Sequence, residues 1–308
     1  MSRSPAHFLR RSVLRGTLAA SAALGLAGVG RAATAASRGA AVPALRVGGY
    51  EVMALVDATG PFFLPASEAF PGTGDAAWAA ARRIDPEAFG DDGVWVLDFR
   101  CFVIRRPGGS LAVVDTGVGP ASSPAAAWAP VPGRLPRALR EAGLDPRDVD
   151  TVVLTHLHDD HYGWTRGEDG DPFFPDARHL VQQRELDGLA PDSAAHAYVV
   201  GPLRAAGLLA PVDGGCRLWR RAGTVSLLPT PGHTPGHQSV VVAGADTEVV
   251  LTGDVLVHAV QLADPDVAYR YEADPDTARA TRTALLTRAR EHRAWLGNPH
   301  LRRPFVRA

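Results

Sequence analysis

The chain has no lysine, one asparagine (Asn298) and two cysteines, Cys101 and Cys216, among 308 residues. Two cysteines build no disulfide framework, so the fold must rest on a buried apolar core, with at most a single bridge between the pair. Cys101 lies among Phe99, Phe102 and Ile104 on an expected strand and reads as a buried thiol. Every basic residue is arginine, which fits the coding bias of a GC-rich genome better than phosphate binding. Residues 1 to 35 hold five arginines and no acid, so the remainder carries 27 basic against 33 acidic groups. A surface of that sign does not attract nucleic acid. No internal repeat of fixed period is present, which excludes solenoids and propellers.

What is there begins with Phe8-Leu9-Arg10-Arg11-Ser12-Val13-Leu14-Arg15, a twin-arginine motif. An Ala/Leu/Gly-rich stretch from Gly16 to Gly30 and the small residues Ala33-Thr34-Ala35 follow it. This order predicts a signal peptide over 1–35, read by the twin-arginine export machinery, and a periplasmic or extracellular product. The stretch is too weakly hydrophobic for a stable membrane anchor. That route moves proteins already folded. Residues 36–308 are long enough for a single large domain. Oligomeric state is not legible.

The densest chemistry is Thr155-His156-Leu157-His158-Asp159-Asp160-His161-Tyr162-Gly163, directly after the apolar Val152-Val153-Leu154. His156, His158, Asp160 and His161 place more donors in one loop than a single tetrahedral ion needs, which points to two metals. Later donors complete the set: His233 in Pro-Gly-His, Asp254 in Thr-Gly-Asp, and His300 in Asn-Pro-His. His233 and Asp254 follow strand-like apolar runs, and side chains on loops at one end of several strands can converge. His237 reads as a supporting residue rather than a ligand, and His292 falls inside a helical stretch.

This series, HxHxDH followed by a distant His, Asp and His, resembles the metallo-β-lactamase superfamily over residues 47–300. The resemblance implies an α/β fold, a four-layer αββα sandwich, with a dinuclear site of two divalent ions, Zn²⁺ by preference. It assigns His156, His158 and His233 to one metal, Asp160, His161 and His300 to the other, and Asp254 to a bridging position. Asp115, in Val-Val-Asp-Thr-Gly, would support the ligand loop from behind. Zinc β-lactamases of the common class carry cysteine where this chain has Asp254, which argues against penicillin hydrolysis. The stretch 230–239 is most similar to the methyl parathion hydrolase and N-acyl homoserine lactonase-like group. Val257 stands where the lactonases carry tyrosine.

The expected activity is hydrolysis of a small ester, lactone or phosphotriester by a metal-bridging hydroxide. Asp254 would position the hydroxide, and Asp160 would pass a proton to the departing alkoxide. A β-lactamase, or a binding protein of the same fold without catalysis, is the alternative. The segment Gly60 to Pro65 is read as an apolar loop, and Phe62, Phe63, Trp164 and His258 are the candidate pocket residues, with Trp78, Trp95 and Trp128 also open. Residues 66–93 and 119–133, rich in Gly, Pro and Ala, read as surface excursions near the site.

Overall fold

Apolar runs whose side chains alternate between two faces form two sheets in the computed structural model, which describes residues 42–308. The expected signal peptide lies outside the described residues. The first sheet has seven strands in chain order: β1 (Ala44–Val47), β2 (Tyr50–Pro65), β3 (Val94–Arg105), β4 (Leu111–Val114), β5 (Val149–Val153), β6 (Arg178–Gln182) and β7 (Leu209–Val212). Pairing is antiparallel from β1 to β4 and parallel from β4 to β7. The second sheet has six: β8 (Arg217–Arg220), β9 (Thr224–Pro229), β10 (Gln238–Ala243), β11 (Glu248–Leu251), β12 (Trp295–Gly297) and β13 (Phe305–Arg307). Only β11 and β12 pair in parallel there, because helical chain separates them.

The helices are α1 (Ala66–Ala69), α2 (Asp75–Ile84), α3 (Leu135–Glu141), α4 (Gln183–Asp187), α5 (Gly201–Ala205), α6 (Val260–Ala263) and α7 (Pro275–Glu291). Strand alternation decides how the layers pack. On β3, Phe102 and Ile104 face inward with Val52, Val225, Leu227, Val240 and Leu251, which fills the space between the sheets. Cys101 and Val103 on the opposite face meet Leu135 and Leu139 of α3 and Leu203 of α5. Val241 and Val250, on the outer face of the second sheet, meet Leu285, Leu286 and Ala289 of α7. The result is αββα, as the resemblance implied.

Two expectations need correction. Gly60 to Pro65 is not a loop, because β2 continues through it and pairs with β3 as far as Pro65. Register shifts after Val56 and Pro61 absorb the breakers and bend the strand, as bulges do, so a Gly-Pro pair does not end it. Residues 66–93 are not merely surface excursion: they contain α1 and α2, and Ala69, Phe70, Ala81 and Ala88 are buried in the core beside the cleft. Cys101 and Cys216 are both free thiols.

Candidate metal centre and cleft

The chain leaves β5 through Leu154, whose amide is paired to β6, and turns at Thr155. Asp115, just beyond β4, catches that turn. Its Oδ1 accepts from Thr155 N at 2.7 Å, and its Oδ2 accepts from the Thr155 hydroxyl and His161 Nδ1, each at 2.9 Å. The backbone there is left-handed (φ 56°), which aspartate tolerates better than most residues. These bonds fix tautomers. His161 carries its proton on Nδ1, which leaves the Nε2 lone pair to point away. The Thr155 hydroxyl donates its hydrogen to the bond with Asp115, so it accepts from His156 Nδ1 at 3.0 Å and frees His156 Nε2 in the same way. His300 Nδ1 donates to the Asp98 carbonyl at 3.0 Å and frees the third Nε2.

Those lone pairs converge in two sets. His156, His158, His233 and Asp254 form one, and Asp160, His161 and His300 the other, with the donor atoms of each set lying within 4.8 Å of one another. His156 Nε2 and His233 Nε2 each lie 3.0 Å from His158 Nδ1. Asp254 reaches both sets. Its Oδ2 is 3.2 Å from His233 Nε2, and its Oδ1 is 3.1 Å from His300 Nε2 and 3.3 Å from His161 Nε2. Asp254 Oδ1 is buried without a hydrogen-bond partner, facing imidazole nitrogens that hold no proton on that side. Acceptors aimed at acceptors repel unless a cation lies among them, so the donor set fits divalent metal, and nitrogen with carboxylate oxygen suits Zn²⁺. Burial pushes His156 and His233 well below the usual histidine range. Burial also works against a charged His161, but Asp254, Asp160 and Asp115 together push it well above that range, so without a cation a proton on Nε2 would stand where a metal ion would bind the neutral tautomer. Burial would raise Asp254, yet His161, His300 and His233 hold its carboxyl well down and keep it anionic.

Residues behind the donors bind the loops to each other. Glu185 of α4 accepts from Leu157 N, Thr234 Oγ1 and Gly236 N at 2.7–3.0 Å and so joins the 156–161 loop to the His233 loop. His237 is not in either donor set. Its Nε2 accepts from Asp254 N at 2.9 Å, and burial lowers its pKa to about 4, so it supports the Asp254 turn as a neutral ring. Asn298 donates to Leu256 O and Thr252 Oγ1 and accepts from His300 N, which links the Asp254 turn to the His300 loop. Buried Arg100 of β3 donates to the carbonyls of Asn298 and Leu301 at 2.8 and 2.7 Å and pairs with Asp98. Sequence reasoning passed over Glu185, Arg100 and Asn298. Only a buried charge on an otherwise apolar strand, as at Arg100, hinted at a role.

A cleft of about 160 Å³, open to solvent, lies over His158, Asp160, His233, Asp254 and His300. Phe62 and Phe63 form part of its wall, with Trp95, Trp128, Leu97 and Val257. Asp159 accepts from Trp128 Nε1 at 3.1 Å and holds that indole in place. Trp164 does not line this cleft. It is buried in the opposite layer, and its Nε1 donates to Asp57 at 3.0 Å, because the turn after His161 carries it behind the ligand loop. His258 is also absent from the wall. It is fully buried among Phe70, Trp78, Phe89 and Trp95, and its Nδ1 accepts from Val260 N. Tyr269 and Tyr271 were missed. Both line the cleft, and Tyr269 stacks on His233 at 6.0 Å and 15°.

An αββα sandwich with a His/Asp metal-binding cluster at the edge shared by both sheets defines the class as a metal-binding protein of two-sheet architecture. The sequence profile of the metallo-beta-lactamase superfamily matches residues 100–296, and the chain belongs to that superfamily. It is similar to the N-acyl homoserine lactonase AttM of Azorhizobium caulinodans, 34% identical over 160 residues, which cover 46% of this chain and 58% of that protein. The match thus spans little more than half of that relative. Among solved structures, hydrolase AbOPH of the beta lactamase superfamily superposes with a TM-score of 0.73 at 24% identity, covering 86% of this chain and 92% of that one. AidC, described as a dizinc quorum-quenching lactonase in complex with its product, gives 0.67 at 20% identity, covering 87% and 94%. At these identities both show the shared fold.

Proposed function

We propose that the protein is a metal-dependent hydrolase holding two divalent ions, most suitably Zn²⁺, and acting on a small neutral ester, lactone or phosphotriester. One observation carries this reading: the two carboxylate oxygens of Asp254 face two separate donor sets beneath an aromatic cleft. His156, His158, His233, Asp160, His161, His300 and Asp254 would hold two ions, which would lower the pKa of bound water to around 7 and polarise a substrate oxygen, so that no serine or cysteine nucleophile would be needed. The chain's own residues do the rest. Asp254, anchored through its amide to His237, orients the attacking water, and Asp160 at the cleft edge passes a proton to the departing oxygen. Phe62, Trp95, Trp128 and Tyr269 exclude bulk water from the reacting centre.

Charge selects the substrate class. Asp159, Asp160 and Asp254 line the cleft and no arginine does, so away from the two ions an anionic group on the substrate would find no cationic partner on the walls. A β-lactam brings an obligatory carboxylate and fits poorly, while neutral acyl and aryl groups match the aromatic lining. The lactonase relatives favour lactones within this class. The test is side-by-side hydrolysis of an N-acyl homoserine lactone and an aryl dialkyl phosphotriester, with Asp254→Asn as the blank. Lactone turnover silenced in the blank supports a lactonase, and triester turnover a phosphotriesterase. A metal-loaded chain inert to both and to a panel of neutral esters contradicts the proposal.

The same reading includes export by the twin-arginine route to the periplasm or beyond, with a small molecule as the partner of the mature chain and no nucleic acid. The support is the Arg10-Arg11 motif and its following stretch. A reporter fused after residue 41 should leave the cytosol, and Arg10→Lys with Arg11→Lys should retain it there. Retention of both fusions, or of neither, would remove the assignment.

A further inference from the structure

Tyr269 stacks its ring on His233 of the donor sets, and its hydroxyl has no role in the reading above. Its ring lies flat against His233 and packs edge-on or tilted against Phe62, Trp95 and Tyr271. The residue is 8% exposed, and the exposed part lines the cleft beside Asp160 and Asp254. Among the described residues its hydroxyl makes no hydrogen bond. A tyrosine this buried usually finds a partner for its O–H, and one left open towards a cleft is available to whatever enters. A phenol is protonated at neutral pH, so the open hydroxyl can donate a hydrogen bond.

The segment bearing this ring is fixed rather than loose. Fully buried Arg282 of α7 donates to the carbonyls of Pro265, Val267 and Val255 at 2.9–3.2 Å and to Glu272 at 2.7 Å. Gln261 reaches Val267 O and Glu272 from the other side, and Ala273 N and Asp274 N donate to His233 O and Gly232 O. One arginine therefore ties the turn that carries Asp254 to the segment that carries Tyr269, and backbone bonds tie that segment to the His233 loop. A donor held this rigidly beside a reacting centre costs no reorganisation when charge develops.

We propose that Tyr269 is a catalytic residue whose phenolic O–H donates a hydrogen bond to the substrate oxygen that gains negative charge during hydrolysis. The proposal rests on the hydrolase reading above. Water gives a proton to Asp160 as its oxygen bonds to the carbonyl carbon or phosphorus, and the electron pair of the C=O or P=O bond moves onto the substrate oxygen, where Tyr269 stabilises it without losing its own proton. The pair returns as the bond to the leaving oxygen breaks, and the leaving oxygen takes a proton from Asp160 or solvent. The phenol is unchanged at the end of the cycle.

Tyr269→Phe keeps the ring against His233 and removes only the donor. In the metal-loaded full chain, metal content and melting temperature should match the parent. Turnover of the preferred neutral ester should fall about 100-fold in kcat, the order seen when one such donor is removed, with KM changed less than threefold. A readout independent of turnover is binding of an alkyl phosphonate monoester, a tetrahedral anion that mimics the charged state, measured by calorimetry. The variant should bind it at least tenfold more weakly than the parent. If the parent turns over esters and binds the phosphonate while Tyr269→Phe matches it within twofold in both, Tyr269 has no catalytic role. If the parent itself does neither, the hydrolase reading fails and the role of Tyr269 fails with it.

Discussion

Replacing Asp115 with asparagine tests how the ligand loop is held. The carboxylate serves three donors: Thr155 N on one oxygen, and Thr155 Oγ1 and His161 Nδ1 on the other. Asparagine suits the left-handed backbone, so any effect is not backbone strain. It keeps one acceptor oxygen and turns an NH₂ towards a donor. If the NH₂ faces His161 Nδ1, the imidazole must move its proton to Nε2, the atom that faces Asp254, Asp160 and His300. The loss of a supporting carboxylate of this kind lowers metal affinity about 10- to 100-fold, or roughly 1.4–2.8 kcal/mol. A buried donor left unsatisfied costs a further ~1–3 kcal/mol of stability. His161 is touched directly while His156 is reached only through the Thr155 hydroxyl, so the set with Asp160 and His300 should weaken more. Competition against a chromogenic chelator, resolving two release steps, measures both affinities, and thermal unfolding of the metal-free chain measures stability. Two affinities unchanged within twofold, or weakening confined to the His156, His158 and His233 set, would refute the reasoning.

Other expectations follow from the same packing. Asp57 accepts from Val118 N, Leu135 N and Trp164 Nε1 at 2.6–3.0 Å, so Asp57→Asn should lower stability by about 2–4 kcal/mol in chemical denaturation while leaving metal stoichiometry intact. A Cβ at Gly232 would lie 2.3 Å from the backbone of Ala278 with φ at +130°, so Gly232→Ala should displace His233 and weaken metal binding by an order of magnitude or more, read by the same chelator competition. Acid should destabilise the fold. Burial lowers His179 to about 4 and His258 to about 3, so below pH 6.5 the unfolded chain takes up protons that the folded chain refuses. Each contributes a loss of up to ~3–5 kcal/mol as pH falls through that window. Asp57, raised by burial to about 6, acts oppositely, since its contribution is present at low pH and fades as pH rises through 6. His179→Asn, which keeps a donor for the Ala177 carbonyl, should flatten the stability-against-pH slope between pH 6.5 and 4.5.

What could be read from the sequence, and what could not, divides along physical lines. The donors His156, His158, Asp160 and His161 sit in one short loop whose composition has no purpose in a core, and His233, Asp254 and His300 each follow a strand end. Local chemistry of that kind survives without a structure. The cleft wall does not, because an aromatic residue looks the same whether it faces a cavity or a core. Trp164 follows His161 closely in sequence yet points behind the loop to Asp57, and His258 follows Asp254 yet is sealed among four aromatic rings. Tyr269 and Tyr271 come from a segment with no periodicity, placed by bonds from Arg282 and Gln261 and by its own backbone bonds to Ala69 and the His233 loop. The length of β2 was hidden for a related reason. Gly60 and Pro61 read as breakers, and only the partner strand β3 shows that pairing continues through a bulge.

The central claim is that Asp254 joins two metal ions in one site, and metal stoichiometry tests it most directly. The purified chain, saturated with Zn²⁺ and desalted, should carry two ions by inductively coupled plasma mass spectrometry, and Asp254→Asn should retain fewer than two while remaining folded by circular dichroism. A folded parent chain that holds one ion or none at saturation, or an Asp254→Asn variant that holds two with unchanged affinity, would contradict the account.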